Sequence, residues 1–352
     1  MSTLFTPLTI RGIEMRNRLW VSPMCQYSAV DGIPNDWHHV HLAQFAAGGA
    51  GLVIAEATAV SPEGRISPDD VGLWNDAQLE AWAPVVAAIR ARGAVAGVQL
   101  GHAGRKASTT SPLTGGRGSV AIADGGWTTV APSAVAYPGF AEPRALDAAG
   151  IEKVVDDFAD AARRAVAAGF AVLEVHAAHG YLLHQFLSPL SNHRDDEYGG
   201  SFDGRVRLLE RVTAAVRDAA PDAAVFVRFS GTDAADGGWD IDDTVRAARR
   251  VAAAGADLID VSSGGLVPHQ KISASPGYQV PLAETVRRET GIPVAAVGMI
   301  DDARLAEAVV AEGRADAVLA AREWLRDPHY ALRAAVELGV TVPAPPQYAR
   351  AY

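Results

Sequence analysis

Eight times along this chain a short apolar run leads into a longer stretch of helical pattern, and no other feature constrains the fold as tightly. The runs are RLWVS (18–22), GLVIAEA (51–57), AVAGVQL (94–100), AVLEVHA (171–177), AVFVRFS (224–230), LIDVSS (258–263), PVAAVGM (293–299) and AVLAAR (317–322). Between them lie Ala-rich segments with helical spacing, such as 80–93 and 151–169, several of which end in glycine just before the next run. A glycine there is how a helix C-terminus hands the chain to a strand. Near-continuous apolar strands such as GLVIAEA suit a parallel sheet buried on both faces. Eight such units in 352 residues predict an α/β fold of the closed (β/α)8 barrel type, a TIM barrel, rather than an open doubly wound sheet. No G-x-G-x-x-G follows any of the runs, so the usual dinucleotide fingerprint is missing. The opening LFTPLTIRGIEMRN reads as a hairpin plugging the far end of the barrel. The Gly/Pro/Ser/Thr-rich stretch 101–147 reads as a long loop on the catalytic face, and 340–352 as a C-terminal tail. The whole chain, 1–352, is thus expected to form one domain.

Composition narrows the function classes. No charge-free run reaches the roughly 18 to 20 residues that a bilayer span needs, and the N-terminus lacks the segments of a signal peptide. No membrane association and a cytoplasmic location are therefore expected. A single cysteine, Cys25, excludes an internal disulfide framework, a four-cysteine iron–sulfur cluster and a cysteine-rich zinc site. The net charge of −10 argues against nucleic acid as a partner.

In barrels of this kind chemistry sits at the C-terminal ends of the strands. There the first run offers Pro23, Met24, Cys25 and Tyr27; the second Glu56, Ala57 and Thr58; the third Gln99, then HAGRK with Lys106. The fourth ends in His176, His179 and Tyr181, the fifth in Arg228, the sixth in SSGG, the seventh in Gly298 and the eighth in Ala321 and Arg322. This is a poor metal site, because only His176, His179 and Glu174 lie close in sequence. It suits a planar, phosphorylated cofactor better. Gln99 carries both a donor and an acceptor, matching the edge of a flavin's pyrimidine ring. Arg228 would stabilise negative charge gathering there, and Gly298 with Ala321–Arg322 follows strands seven and eight, where such barrels commonly hold a phosphate. His38, His39 and His41 read as helix-start residues. His102, His184, Arg194, Asp195 and Asp196 read as members of structural networks.

With those residues in place, the chain resembles the Old Yellow Enzyme ene-reductases, and within them the thermophilic-type branch. The likeness is carried by SPMCQYS (22–28), QLGHAGRK (99–106), HAAHGYLLHQFLSPLSNHRDDEYGGSFDGRVRLLERV (176–212), VLAAREWLRDP (318–328) and QYARAY (347–352), so it spans essentially the whole chain. Two positions depart from the pattern: Ala321 stands where a glycine is common, and the tail ends Ala351–Tyr352 rather than Gly–Trp. The resemblance implies non-covalent FMN bound by Pro23, Met24, Cys25, Ala57, Gln99, Arg228, Gly298, Ala321 and Arg322, with NADPH or NADH as hydride donor. It implies reduction of electron-poor alkenes such as enones, enals and maleimides, with His176 and His179 on the carbonyl oxygen, Tyr181 as proton donor, Tyr27 lining the pocket and Cys25 tuning the flavin. It also implies a homodimer or homotetramer in which Arg350 reaches a neighbouring subunit's site. Two other readings stay open from the residues alone: a flavin-binding redox sensor with Cys25 as the oxidisable group, and a metal-dependent hydrolase or lyase using Glu174, His176 and His179.

Overall fold

The computed structural model describes residues 2–116 and 118–352. Eight parallel strands close into a barrel: β1 (Leu19–Val21), β2 (Leu52–Ala59), β3 (Val95–Gly101), β4 (Val172–Ala177), β5 (Ala224–Ser230), β6 (Leu258–Ser262), β7 (Val294–Ala296) and β8 (Ala317–Ala320). They neighbour one another in sequence order, and β8 pairs back onto β1. The helices that follow are α1 (Asp36–Ala47), α2 (Asp76–Arg90), α3 (Ala148–Ala168), α4 (Phe202–Ala219), α5 (Ile241–Ala253), α6 (Val280–Thr290), α7 (Ala303–Ala311), the short α8 (Arg322–Arg326) and α9 (Tyr330–Glu337), with a further six-residue helix, Leu182–Leu187, between β4 and α4. The expected (β/α)8 barrel is the fold of this chain.

Side chains alternate across each strand, and here the alternation sorts them into two cores. Outward-facing Leu19, Val21, Val53, Leu173, Val175, Val225 and Val227 pack with Phe158, Val206 and Val286 of the helices. Inward-facing Trp20, Leu52, Ile54, Val172, Phe226, Leu258 and Leu319 fill the barrel, with Trp20 stacked on Phe226 at 5.9 Å. Ile10 and Met15 belong to this inner core. They come from the N-terminal hairpin, Leu8–Ile10 paired antiparallel with Ile13–Met15, and its turn residues Arg11 and Gly12 both have positive φ, as a two-residue type I′ turn needs. The plug expected from the sequence is therefore in place.

Higher up the same inner face the residues turn polar. Glu174 and His176 continue the line of Val172; Arg228 and Ser230 that of Phe226; Asp260 and Ser262 that of Leu258. Register sets these side by side: Gln99 pairs with Glu174, His176 with Arg228, and Arg228 with Asp260.

Three details differ from the sequence expectation. The seventh strand stops at Ala296 instead of Met299, because Gly298 (φ 120°) and Met299 (φ 53°) turn away and the Val297 carbonyl accepts from Gln279 Nε2 at 3.1 Å. Helix α2 begins at Asp76, before the apolar pattern does, since Asn75 and Gln78 form a reciprocal capping box. The 101–147 stretch is not structureless: it contains three short 3-10 turns and a two-stranded pair, Val130–Ala131 with Arg144–Ala145.

Candidate active site

The floor of the barrel mouth is a charged layer enclosed on all sides. Gln99 Nε2 donates to Glu174 Oε1 at 2.7 Å, Arg228 Nε lies 3.1 Å from Asp260 Oδ2, and Arg228 Nη1 donates to Ser22 Oγ at 3.1 Å. All five groups are buried. Sequence reading picked out Gln99, Arg228 and Glu174 but not Asp260, whose strand LIDVSS reads as an ordinary apolar run with one acid in it.

Above the floor β4 delivers three rings. The His176 ring lies 5.2 Å from His179 and 5.1 Å from Tyr181, centroid to centroid. His179 follows the strand in the left-handed region (φ 59°), which turns its side chain back over the mouth. That conformation is held from four directions. His179 N donates to Ser230 Oγ (2.9 Å), its Nε2 pairs with Ser262 Oγ (2.7 Å), its carbonyl accepts from Lys106 Nζ (2.8 Å), and Gly180 N donates to His184 Nδ1 (2.9 Å). Lys106 also donates to the Gly265 carbonyl at 2.9 Å, tying the loops after β3, β4 and β6 together. Lys106 thus belongs to the pocket wall rather than to a solvated loop. Gly265 has to be glycine: its φ is 91°, and a Cβ there would come within 2.6 Å of His179 Cα.

Burial, and after it the positive Arg228, push both imidazoles well below the usual histidine range, so His176 and His179 are neutral and each carries one N–H donor. Burial also pushes the Tyr181 hydroxyl well up, with Cys25 and Tyr27 adding to it, so Tyr181 holds its proton at neutral pH. Lys106 is brought down to about 8 by burial and then by Arg105, and its Nζ sits 5.0 Å from the rings of both Tyr137 and Tyr181.

At the end of β1, Pro23, Met24, Cys25 and Tyr27 form a partly buried arc. Tyr27 also has positive φ (49°). Burial, followed by the carboxyl groups of Asp70 and Glu56, raises the Cys25 thiol well above its ordinary value. Ala57, opposite Gln99 in register, lines a narrow cleft with Asp70, His176 and Tyr181. Asp70 escaped the sequence reading because it lies in the loop between β2 and α2, away from any strand end.

Beyond β6 the mouth opens into a cavity of ≈ 320 Å³ lined by His179, Ser262, Gln279, Gly298, Ala321 and Arg322 among others. Sequence reading named five of these, Ser262 as part of SSGG. Gln279, whose Oε1 accepts from Ser263 Oγ at 2.7 Å and lies 3.3 Å from Ser262 Oγ, was missed because it stands at the start of α6 and carries no strand-end signature. Gly298 packs so closely on Gln279 that a Cβ would meet its Nε2 at 2.8 Å. Among the described residues the exposed Arg322 guanidinium has no ion-pair or hydrogen-bond partner. A flavin with a terminal phosphate fits this set: Gln99 and Arg228 at one end and a side-chain-free glycine with an uncommitted arginine at the other. Arg350 is not brought to the site. The tail packs by Ala47, Ala91 and Arg92, at the C-terminal ends of α1 and α2, on the face where the strands begin. Glu174 bonds to the floor instead of joining the histidines, and among the described residues no group of three or more His, Cys, Asp or Glu could hold a metal.

The sequence profile of the family described as "NADH:flavin oxidoreductase / NADH oxidase family" matches residues 3–339. The NADPH dehydrogenase of Geobacillus thermodenitrificans is 45% identical over 354 residues, covering 100% of this chain and 99% of that protein. The structure of morphinone reductase in complex with tetrahydroNAD superposes with a TM-score of 0.80 at 29% identity, over 99% of this chain and 94% of the other. An old yellow enzyme homologue from Zymomonas mobilis gives 0.78 at 29% identity, over 97% and 94%.

Proposed function

Because this chain belongs to the NADH:flavin oxidoreductase / NADH oxidase family, we propose that it is an NAD(P)H-dependent ene-reductase, reducing the C=C bond of electron-poor alkenes such as enones, enals and maleimides. FMN and a reduced nicotinamide are its cofactors, and it is an oxidoreductase of the Old Yellow Enzyme type. The observation that carries the substrate class is the pair of neutral imidazoles beside a protonated tyrosine, with ring centroids 5.1 to 5.2 Å apart. Two N–H donors and an acid at one point suit an activating carbonyl and the carbanion beside it.

FMN held over this floor would supply the hydride chemistry that links the nicotinamide to the alkene's β-carbon, the two organic reactants using the same mouth in turn. His176 and His179 donate hydrogen bonds to the substrate oxygen, where negative charge develops; one such donor is worth about 100- to 1,000-fold in rate. Tyr181 gives its proton to the α-carbon. Tyr27 lines the pocket opposite. Pro23, Met24, Cys25, Ala57, Gln99 and Arg228 would hold the ring end of the cofactor, and Gly298, Ala321 and Arg322 its phosphate. Cys25 would tune the flavin. The whole chain works as one FMN-binding unit, with 101–147 shaping the pocket, and Arg350 serves a neighbouring subunit in a homodimer or homotetramer.

A redox sensor built on Cys25 is disfavoured, because a reactive cysteine needs a lowered pKa and this thiol is pushed the other way. The first experiment is an absorbance spectrum of the protein reconstituted with FMN, followed anaerobically by NADPH and then cyclohexenone. Flavin bands that bleach and return support ene reduction; bands that bleach and stay bleached with every alkene refute the substrate class. In the H176A/H179A double variant the flavin stays bound while the long-wavelength band induced by phenols disappears. Loss of the flavin itself would move the histidines from substrate to cofactor binding.

A further inference from the structure

The floor holds more negative charge than it can keep. Glu174 and Asp260 have no exposed surface and Arg228 is 5% exposed, so two carboxyl groups face one guanidinium in a dry layer. With both acids ionised the trio carries an uncompensated buried charge, a state that proteins avoid by taking up a proton. The hydrogen bonding points the same way. Glu174 Oε1 accepts from Gln99, but Glu174 Oε2 and Asp260 Oδ1 are buried without a hydrogen bond, and Asp260 Oδ2 has only the Arg228 Nε contact at 3.1 Å. Register brings the two acids to either side of Arg228: Asp260 pairs with it from β6, and His176, two residues along the inner face of β4 from Glu174, pairs with it from the other side. One proton between them satisfies both.

We propose that Glu174 and Asp260 share a single proton at neutral pH, held on Glu174 Oε2 and donated to Asp260, and that Glu174 is a positioning residue controlling how much of the Arg228 charge reaches the ring end of the cofactor. This rests on the FMN reading above. Asp260 takes the ionised role because it faces Arg228 directly, 3.1 Å away. Glu174 takes the proton because burial and then Asp260 raise it to about 8, which Arg228 only partly offsets, whereas at Asp260 the guanidinium is the largest influence after burial and pulls the other way. In this state Asp260 and Arg228 cancel, and the Gln99 amide is pinned with Nε2 toward Glu174. Loss of the proton leaves the floor with one net negative charge, which opposes negative charge on the cofactor. The remaining titratable groups facing this layer are His176 and His179, which stay neutral, and Lys106 above them.

The test uses E174Q, which copies the protonated acid in shape and cannot ionise. In FMN-free protein at neutral pH, difference infrared spectroscopy shows a protonated-carboxyl C=O stretch that is missing in E174Q. It is also missing in D260N, where Glu174 becomes the sole counter-charge to Arg228 and gives up its proton. In the FMN-loaded protein, sulfite, which adds to electron-poor flavins, binds wild type and E174Q within threefold of each other at about pH 6. By about pH 9 the wild type binds roughly tenfold more weakly than E174Q, as one extra negative charge at this range requires. A band that survives in E174Q or in D260N, or an affinity ratio constant across that pH range, overturns the proposal. Since the infrared arm needs no flavin, failure of the FMN reading would leave the shared proton standing.

Discussion

His179 owes its position to other residues. Its left-handed backbone costs energy that a non-glycine residue tolerates only where neighbours hold it, and here Ser230, Ser262 and Lys106 do so while Gly265 leaves the room. Tyr181, two residues further on through Gly180, inherits that placement. Replacing Tyr181 with Phe should lower the alkene half-reaction by about 100- to 10,000-fold, the usual share of a general acid. Flavin bleaching by NADPH should change less than threefold; stopped-flow traces of the two half-reactions check both. The histidines, the tyrosine, Gln99 and Arg228 were legible in the sequence because each closes an apolar run, and the barrel rule gives such positions meaning. Asp260, Gln279 and Asp70 were not, because their contribution depends on strand register or on loops folding back, and neither has a local signature.

Helix α1 shows what an element does for the site it carries. Asn35 caps it and His38 closes the box, its Nδ1 accepting from Asn35 N at 3.0 Å. The same buried ring lies 3.4 Å from Glu56 through Nε2, so the helix start is braced against the end of β2. Burial lowers His38 to about 4, well under its unfolded value. The unfolded chain therefore binds the proton first, and stability falls as pH drops from about 6.5 through about 4, by up to about 3 kcal/mol for this one group. Glutamine at 38 keeps the capping reach and does not titrate. The H38Q variant should lose less stability than wild type over that interval, measured as denaturation midpoints at matched pH values; identical pH profiles would remove His38 from the acid response. Reading WHHVHLAQF as a helix start was correct, but the burial of two of its histidines was not visible, since an apolar stripe and a histidine-bearing one look alike until the strand behind them is placed.

For the whole molecule, the alternation of eight runs and helices was sufficient to give the barrel, because closure follows from the count and from right-handed crossovers. What one chain does for another was less accessible. Arg350 is exposed on a tail that packs against the helix ends away from its own site, so the service proposed for it would require a second copy. The R350A variant should raise KM for the alkene by about tenfold or more, in line with loss of a charged hydrogen bond, with flavin content unchanged; an unaltered KM would leave the tail without a part in the reaction. The hairpin bearing Ile10 and Met15 has a further consequence. With its lower end stoppered, the barrel is a cul-de-sac, and every guest leaves by the door through which the next must enter. Under the proposed reaction traffic would then be single file: a product slow to depart would delay the coming nicotinamide, and an excess of nicotinamide would crowd out the alkene. Turnover in such a vessel is governed as much by how briefly each visitor stays as by how fast it reacts.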